Sequence, residues 1–179
     1  IPITNNSISD NRTYKSFEGR LKICFIGSTQ IFKGFPILKS VLMECREADW
    51  SLDVWGGNIG PDLDTDKIRY RGKFDHSHLM DIYKGCDLVI VPSVWYETFS
   101  FVTLEALSYG TPVAVSDHVG AKDLVKEYAP KFVFHSRNNL KELLISILGN
   151  PNILKEYNKN IMKEKWDNSL KNHALVIEK

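Results

Sequence analysis

The sequence predicts an α/β fold: a doubly wound, mainly parallel sheet of about six strands, with helices on both faces and a C-terminal helical tail. Three observations lead there. Short apolar runs alternate with amphipathic stretches along the chain. Several of the runs are apolar at consecutive positions, the pattern of parallel strands covered on both faces. Turn and cap residues such as Ser100, Gly110 and Pro112 stand at the junctions.

The first 19 residues are rich in Asn, Ser and Thr and carry no sustained period, so 1–19 reads as a linker. A domain over 20–150 follows. Its first strand is expected at Leu21–Ile26 and its first helix at Phe35–Arg46, where Pro36 sits in a first turn that has no use for its missing N–H. Strands are expected at Ser51–Trp55 and Ile68–Arg71, a helix at Ser77–Lys84 and a strand at Asp87–Val91. Ser100 is a good N-cap for a helix over Phe101–Tyr109; Gly110 closes it and Pro112 prevents its resumption. The series ends with a strand at Pro112–Ser116, a helix at Ala121–Lys126, a strand at Lys131–Phe134 and a helix at Asn138–Leu148. In the tail, 151–179, Ile153, Leu154, Tyr157, Ile161, Met162 and Trp166 fall near one helical face.

Composition narrows the function. With 179 residues, 43% hydrophobic and 25% charged, the chain has the balance of one globular domain and not of a disordered or collagen-like one. Lys and Arg number 23 against 22 Asp and Glu, and no block of like charge occurs, which argues against general nucleic-acid binding. Cys24, Cys45 and Cys86 lack C-x-x-C spacing and read as reduced core residues of a cytoplasmic protein. The longest apolar run, Leu88 to Pro92, is far shorter than the roughly 20 residues of a membrane span. Ile1–Asp10 lacks the basic-then-apolar order of a signal peptide, and the chain reads as part of a longer protein.

Ligands of open parallel sheets bind beyond the carboxyl ends of the strands, which singles out three loops. Gly27 to Gly34 offers small residues, Gly27 and Ser28, and a flexible cation, Lys33, suited to phosphate. It matches neither the Walker pattern nor Gly-x-Gly-x-x-Gly, and a lone lysine is more often a solvated charge. The second loop, from Pro92, leads into the helix capped by Ser100, whose amides at Phe101, Val102 and Thr103 form an anion site. Glu97 before that helix and Glu105 in its second turn are two carboxylates able to accept hydrogen bonds from sugar hydroxyls on either side of a phosphate. Taken singly, each is as well read as an ordinary surface charge. The third loop, Ser116 to Ala121, contains Gly120, which permits close approach.

Other chemistry-bearing residues are less informative. His76 and His78 read as surface histidines, His135 and His173 as peripheral, and His118 stays open. Trp95 and Tyr96 either line the cleft or cap the core. Asp62-x-Asp64-x-Asp66 lacks the glycine and closing glutamate of a calcium loop, so no metal site is expected.

Taken together, Glu97-x7-Glu105-Ala106, Gly110-Thr111-Pro112-Val113-Ala114-Val115-Ser116 and Val119-Gly120 closely resemble the C-terminal nucleotide-sugar domain of retaining family 4 glycosyltransferases, which have the GT-B fold. Phe99-Ser100-Phe101, Phe25-Ile26-Gly27 and Lys33-Gly34 are similar to further elements of that family, and the likeness runs from about Leu21 to Val125 and more loosely to Trp166.

The resemblance implies a Rossmann-like donor domain. Lys33 would bind the diphosphate, Glu105 the ribose, Glu97 the donor sugar and the amides of Phe101 and Val102 the terminal phosphate. Gly72-Lys73-Phe74 would meet the base. Gly27, Ser28, Ser100 and Thr103 complete the donor-binding set, and Lys33 and Glu97 would carry catalysis. The implied reaction moves a sugar from a nucleoside diphosphate to an acceptor hydroxyl with retention, using no metal or other cofactor. Two departures stand out: Ser28 where the family often has Arg, and Ala121 at the second glycine of a Gly-Gly pair. A saccharide or lipid-linked acceptor would bind an N-terminal domain outside this chain, which alone would transfer little or nothing. The setting implied is bacterial polysaccharide or glycoconjugate synthesis in the cytoplasm, with membrane-surface contact only through that other half. A non-catalytic nucleotide-sugar module and a GT-B nucleotide-sugar epimerase remain as alternatives.

Overall fold

The computed structural model describes residues 12–57 and 63–163. Six strands, β1 (Leu21–Ile26), β2 (Trp50–Trp55), β3 (Ile68–Gly72), β4 (Leu88–Val91), β5 (Val113–Ser116) and β6 (Val133–Phe134), form one sheet in the order β3-β2-β1-β4-β5-β6. Every pairing is parallel. The helices are α1 (Phe35–Glu44), α2 (Leu79–Gly85), α3 (Phe101–Ser108), α4 (Lys122–Tyr128), α5 (Arg137–Gly149) and α6 (Asn152–Lys163). The doubly wound α/β fold is thus as the sequence predicts.

Burial explains the strand pattern. All four residues of β4 and all four of β5 are buried, as both faces of a central strand require. At the sheet edge, β3 alternates instead: Ile68 and Tyr70 are buried while Arg69 and Arg71 are exposed. Asp53 of β2 pairs with Arg71 at 2.9 Å and Arg69 at 3.4 Å, so the open face of this edge is charged, which discourages pairing with another sheet. Strand β6 is two residues shorter than its sequence reading because Pro130 starts a 3₁₀ turn, Pro130–Phe132, in place of extended chain. A second 3₁₀ turn, His76–His78, takes the start expected of α2, and the Asp75 carboxylate accepts the Ser77 N–H there at 2.8 Å.

Two helix contacts frame the sheet. Glu44 of α1 binds Arg137 and, at 2.8 Å, Lys141 of α5. Helix α6 buries Leu154, Tyr157, Asn158 and Ile161; the Tyr157 hydroxyl donates to the Val113 carbonyl at 3.2 Å, and Asn158 Nδ2 to that of Gly110 at 2.6 Å. The stretch 12–19 lies against α6 and α2. Arg12 donates to the Ile161 carbonyl at 2.8 Å, and Asn158 Nδ2 to the Thr13 carbonyl at 3.1 Å. The Lys15 ammonium donates to the carbonyls of Tyr83 at 2.7 Å, Lys84 at 3.4 Å and Cys86. Carbonyls at a helix C-terminus favour a cation, yet burial still holds the Lys15 pKa below that of a free lysine.

Cys24, Cys45 and Cys86 are buried free thiols. No helix among the described residues is long and apolar enough to cross a membrane. Residues 1–11 of the expected linker, Asp62, Trp166 and His173 lie outside the described residues.

Candidate functional site

Strand order reverses between β1 and β4, and the crevice beyond their carboxyl ends is where such sheets take ligands. The loop after β1 and the loop after β4 meet there. Val94 N–H donates to the Phe32 carbonyl at 3.0 Å. Gly34 ends the 3₁₀ turn Ile31–Lys33 and starts α1 with φ of +73°. A Cβ at Gly34 would overlap the carbonyl oxygen of Pro92, so glycine is required both by conformation and by space.

This close approach brings Lys33 to Glu97: Nζ lies 3.1 Å from Oε1, with the two side chains 34% and 20% exposed. The other carboxylate oxygen, Oε2, accepts from Ser93 Oγ at 2.6 Å. Ser93 is buried, and its own carbonyl accepts from Ser116 Oγ of β5 at 2.6 Å. The Glu97 backbone is fixed as firmly as its side chain, because its N–H donates to the His118 carbonyl at 3.0 Å and its carbonyl accepts from Gly120 at 2.7 Å. A Cβ on Gly120 would overlap the Thr98 carbonyl oxygen. All three sequence-selected loops therefore converge on Glu97.

At the start of α3, Ser100 caps as expected: its Oγ accepts from the Thr103 N–H at 3.3 Å and from Thr103 Oγ1 at 2.9 Å. Both side chains are buried, so Ser100 and Thr103 build the helix end, while the amides of Phe101 and Val102 have no partner among the described residues. Glu105, one turn further, has a different neighbour: Tyr83 of α2 donates its phenol to Oε2 at 2.7 Å. Burial, with the Glu105 carboxylate beside it, pushes the Tyr83 pKa well above that of a free phenol, so the phenol is the donor.

Other sequence-selected residues separate into clear positions. Gly27 donates its N–H to the Trp55 carbonyl at 2.8 Å, and Ser28 Oγ accepts weakly from Gln30 at 3.4 Å. Phe74 packs edge-on against Trp55, with centroids 5.9 Å apart, in a cleft also lined by Lys73, Asp75, His78, Asp81 and Ile82. Trp95 and Tyr96 are 72% and 79% exposed, so neither caps the core. The Tyr96 ring lies 5.1 Å from that of His118. His118 also approaches Asp117 Oδ1 at 3.0 Å, though not along a hydrogen-bond direction, while His135 Nδ1 bonds to Oδ2 at 3.0 Å. Desolvation opposes ionisation of Asp117, but the hydrogen bond from His135 and the charges of His118, His135 and Lys122 outweigh it and hold the pKa down. Asp64, from the acidic run, accepts from the Tyr70 N–H at 2.7 Å, in the middle of the edge strand β3.

Sequence reasoning overlooked Ser93, Trp55 and Tyr83. Ser93 carries a signal in its place two residues after the buried strand at the switch point; Tyr83, 22 residues from its partner, carries none.

The chain is similar to several known proteins. An uncharacterised glycosyltransferase of Methanocaldococcus jannaschii is 24% identical over 95% of this chain and 48% of its own length. A lipopolysaccharide core biosynthesis mannosyltransferase of Rhizobium meliloti is 34% identical over 45% of this chain and 25% of its own. Among solved structures, Anabaena HepE in complex with UDP and glucose superposes with a TM-score of 0.68 at 18% identity, covering 81% of this chain and 43% of HepE. The chain thus spans half or less of the length of each of these relatives. The family described as "Glycosyl transferases group 1" matches residues 9–164, and the chain belongs to that family.

Proposed function

We propose that this chain is the donor-binding domain of a retaining glycosyltransferase, taking a nucleoside-diphosphate sugar. The observation that carries the reading is the cluster of Lys33, Glu97 and Ser93 at the switch point, in the loop that leads into α3 and its open amides. In this reading the diphosphate lies between Lys33 and the amides of Phe101 and Val102. Glu97, oriented by Ser93, takes a hydroxyl of the donor sugar; Glu105 takes the ribose; the cleft beside Phe74 takes the base. The complex of HepE with UDP and glucose supports this choice of ligand.

Transfer breaks the bond between the anomeric carbon and the diphosphate oxygen, leaving negative charge on the leaving group. In this reading Lys33 and the two amides meet that charge as it develops, and a single well-aimed donor of this kind lowers a barrier by about 3 kcal/mol. Ser28 is neutral, and Lys33 is the one Lys or Arg in the three loops, so charge stabilisation rests on it heavily. No step requires a metal ion. The same loops expose Ile31, Phe32, Trp95, Tyr96 and Phe101 to solvent. Exposed apolar side chains of this kind fit a face that meets the acceptor-binding half of a longer protein, and the lipopolysaccharide core biosynthesis named for the Rhizobium relative suggests a saccharide or lipid-linked acceptor.

Calorimetric titration with UDP, GDP and ADP, then with their sugar nucleotides, with and without chelator, tests the reading. Saturable binding of one base class, unchanged by chelator, is expected. Sustained sugar transfer by this chain with no partner would contradict the assignment as a donor domain.

A further inference from the structure

Tyr83 is buried in α2 with its hydroxyl 2.7 Å from Glu105 Oε2. Its position is fixed from several directions. The Tyr83 carbonyl accepts from Thr111 Oγ1 at 2.7 Å and from the Lys15 ammonium at 2.7 Å. Its ring stacks on Tyr109, at 5.5 Å between centroids and 15° between planes. The phenol therefore holds still while the glutamate, which has three rotatable bonds, adapts to it. A carboxylate with one oxygen committed to a fixed donor presents the other in a defined direction. No described residue donates to Oε1 of Glu105.

We propose that Tyr83 is a positioning residue for ribose recognition: it occupies Oε2 of Glu105 and so orients Oε1 toward the ribose hydroxyls of the donor. This rests on the assignment of Glu105 to the ribose under the proposed function. A buried phenol also needs an acceptor for its own sake. That role alone would affect stability without affecting discrimination between ribose and deoxyribose, and this difference separates the two.

The test compares the affinity of UDP or GDP, whichever binds more tightly, with that of its 2′,3′-dideoxy counterpart. For the unmodified chain a preference for ribose of roughly tenfold is expected from charge-assisted hydrogen bonds. In Tyr83→Phe, which keeps the ring and its stacking, the preference should fall to about threefold, with affinity for the dideoxy nucleotide unchanged. In Glu105→Gln the added Tyr83→Phe change should have no further effect on the preference, because the tyrosine acts through the carboxylate. If Tyr83→Phe does not fold, Tyr109→Leu removes the stacking support at a half-buried site and should lower the preference about twofold. An unaltered preference in the folded variant overturns the positioning role and leaves the ribose assignment standing. No binding, or equal affinity for both nucleotides in the unmodified chain, overturns the ribose assignment and this inference with it.

Discussion

Lys33 Nζ and Glu97 Oε1 stand 3.1 Å apart although 64 positions separate them in sequence, and the buried Ser93 holds the other oxygen of the same carboxylate at 2.6 Å. A partly desolvated pair of this kind is a ready site for a ligand bearing both an anion and hydroxyls, since the lysine can turn to the anion while serine keeps the glutamate in place. Lys33→Ala should weaken binding of the nucleoside diphosphate at least about tenfold, because it removes a cation and leaves Glu97 facing the phosphates. Ser93→Ala should weaken binding of the sugar nucleotide by about threefold while hardly altering that of the diphosphate. Titration calorimetry on the two variants checks both.

Gly34→Ala should destabilise the fold by about 2 kcal/mol or more, read from the urea midpoint. The residue stands at φ +73°, and its new methyl group would overlap the Pro92 carbonyl, which belongs to a buried strand end and has little freedom to move. Because the displaced segment leads to Ser93 and Glu97, any folded fraction should also bind nucleotide more weakly.

Ser100→Ala should cost about 1 kcal/mol, the usual loss for an N-cap, since the Thr103 N–H and hydroxyl both lose their acceptor in a buried setting. Ser100→Asp, also a good cap, should retain most of that stability but weaken phosphate binding by placing a negative charge at the same helix end. Urea denaturation and nucleotide titration separate the two effects.

The Glu44 bridge between α1 and α5 should show in the pH dependence of stability. Hydrogen bonds from Lys141 and Arg137 lower the Glu44 pKa in the folded chain. A lowered carboxylate pKa gives stability that is complete above the unfolded value, near 4.3, and is lost as pH falls through the folded value. The difference in melting temperature between the unmodified chain and Glu44→Gln should therefore be constant above about pH 5 and shrink below it. High salt should reduce it throughout, as the pair is partly exposed.

The fold was legible because its determinants are local. Runs such as Leu88–Val91 and Val113–Ser116 are apolar throughout, Ser100 and Gly110 bracket α3, and Ile153, Leu154, Tyr157 and Ile161 trace the buried side of α6. Element limits differ from the sequence reading by at most two residues, as where Pro130 turns the chain before β6. The site was legible only in its parts. Lys33, Glu97 and the α3 cap carry local signals, but their convergence depends on two glycines, Gly34 and Gly120, whose neighbours come from other loops. Contacts such as Tyr83 to Glu105, or Lys15 to the carbonyls ending α2, join side chains to partners chosen by tertiary packing, and no period or motif announces them.

The division of labour between the two glutamates tests the account most directly. The affinity of the preferred nucleoside diphosphate and of its sugar nucleotide should be measured for the unmodified chain, Glu97→Gln and Glu105→Gln. Glu105→Gln is expected to weaken both ligands alike, by about tenfold, and Glu97→Gln to weaken the sugar nucleotide several-fold more than the diphosphate. Unchanged affinities in both variants, or the same loss for both ligands in Glu97→Gln, would contradict the placement of the donor in this crevice.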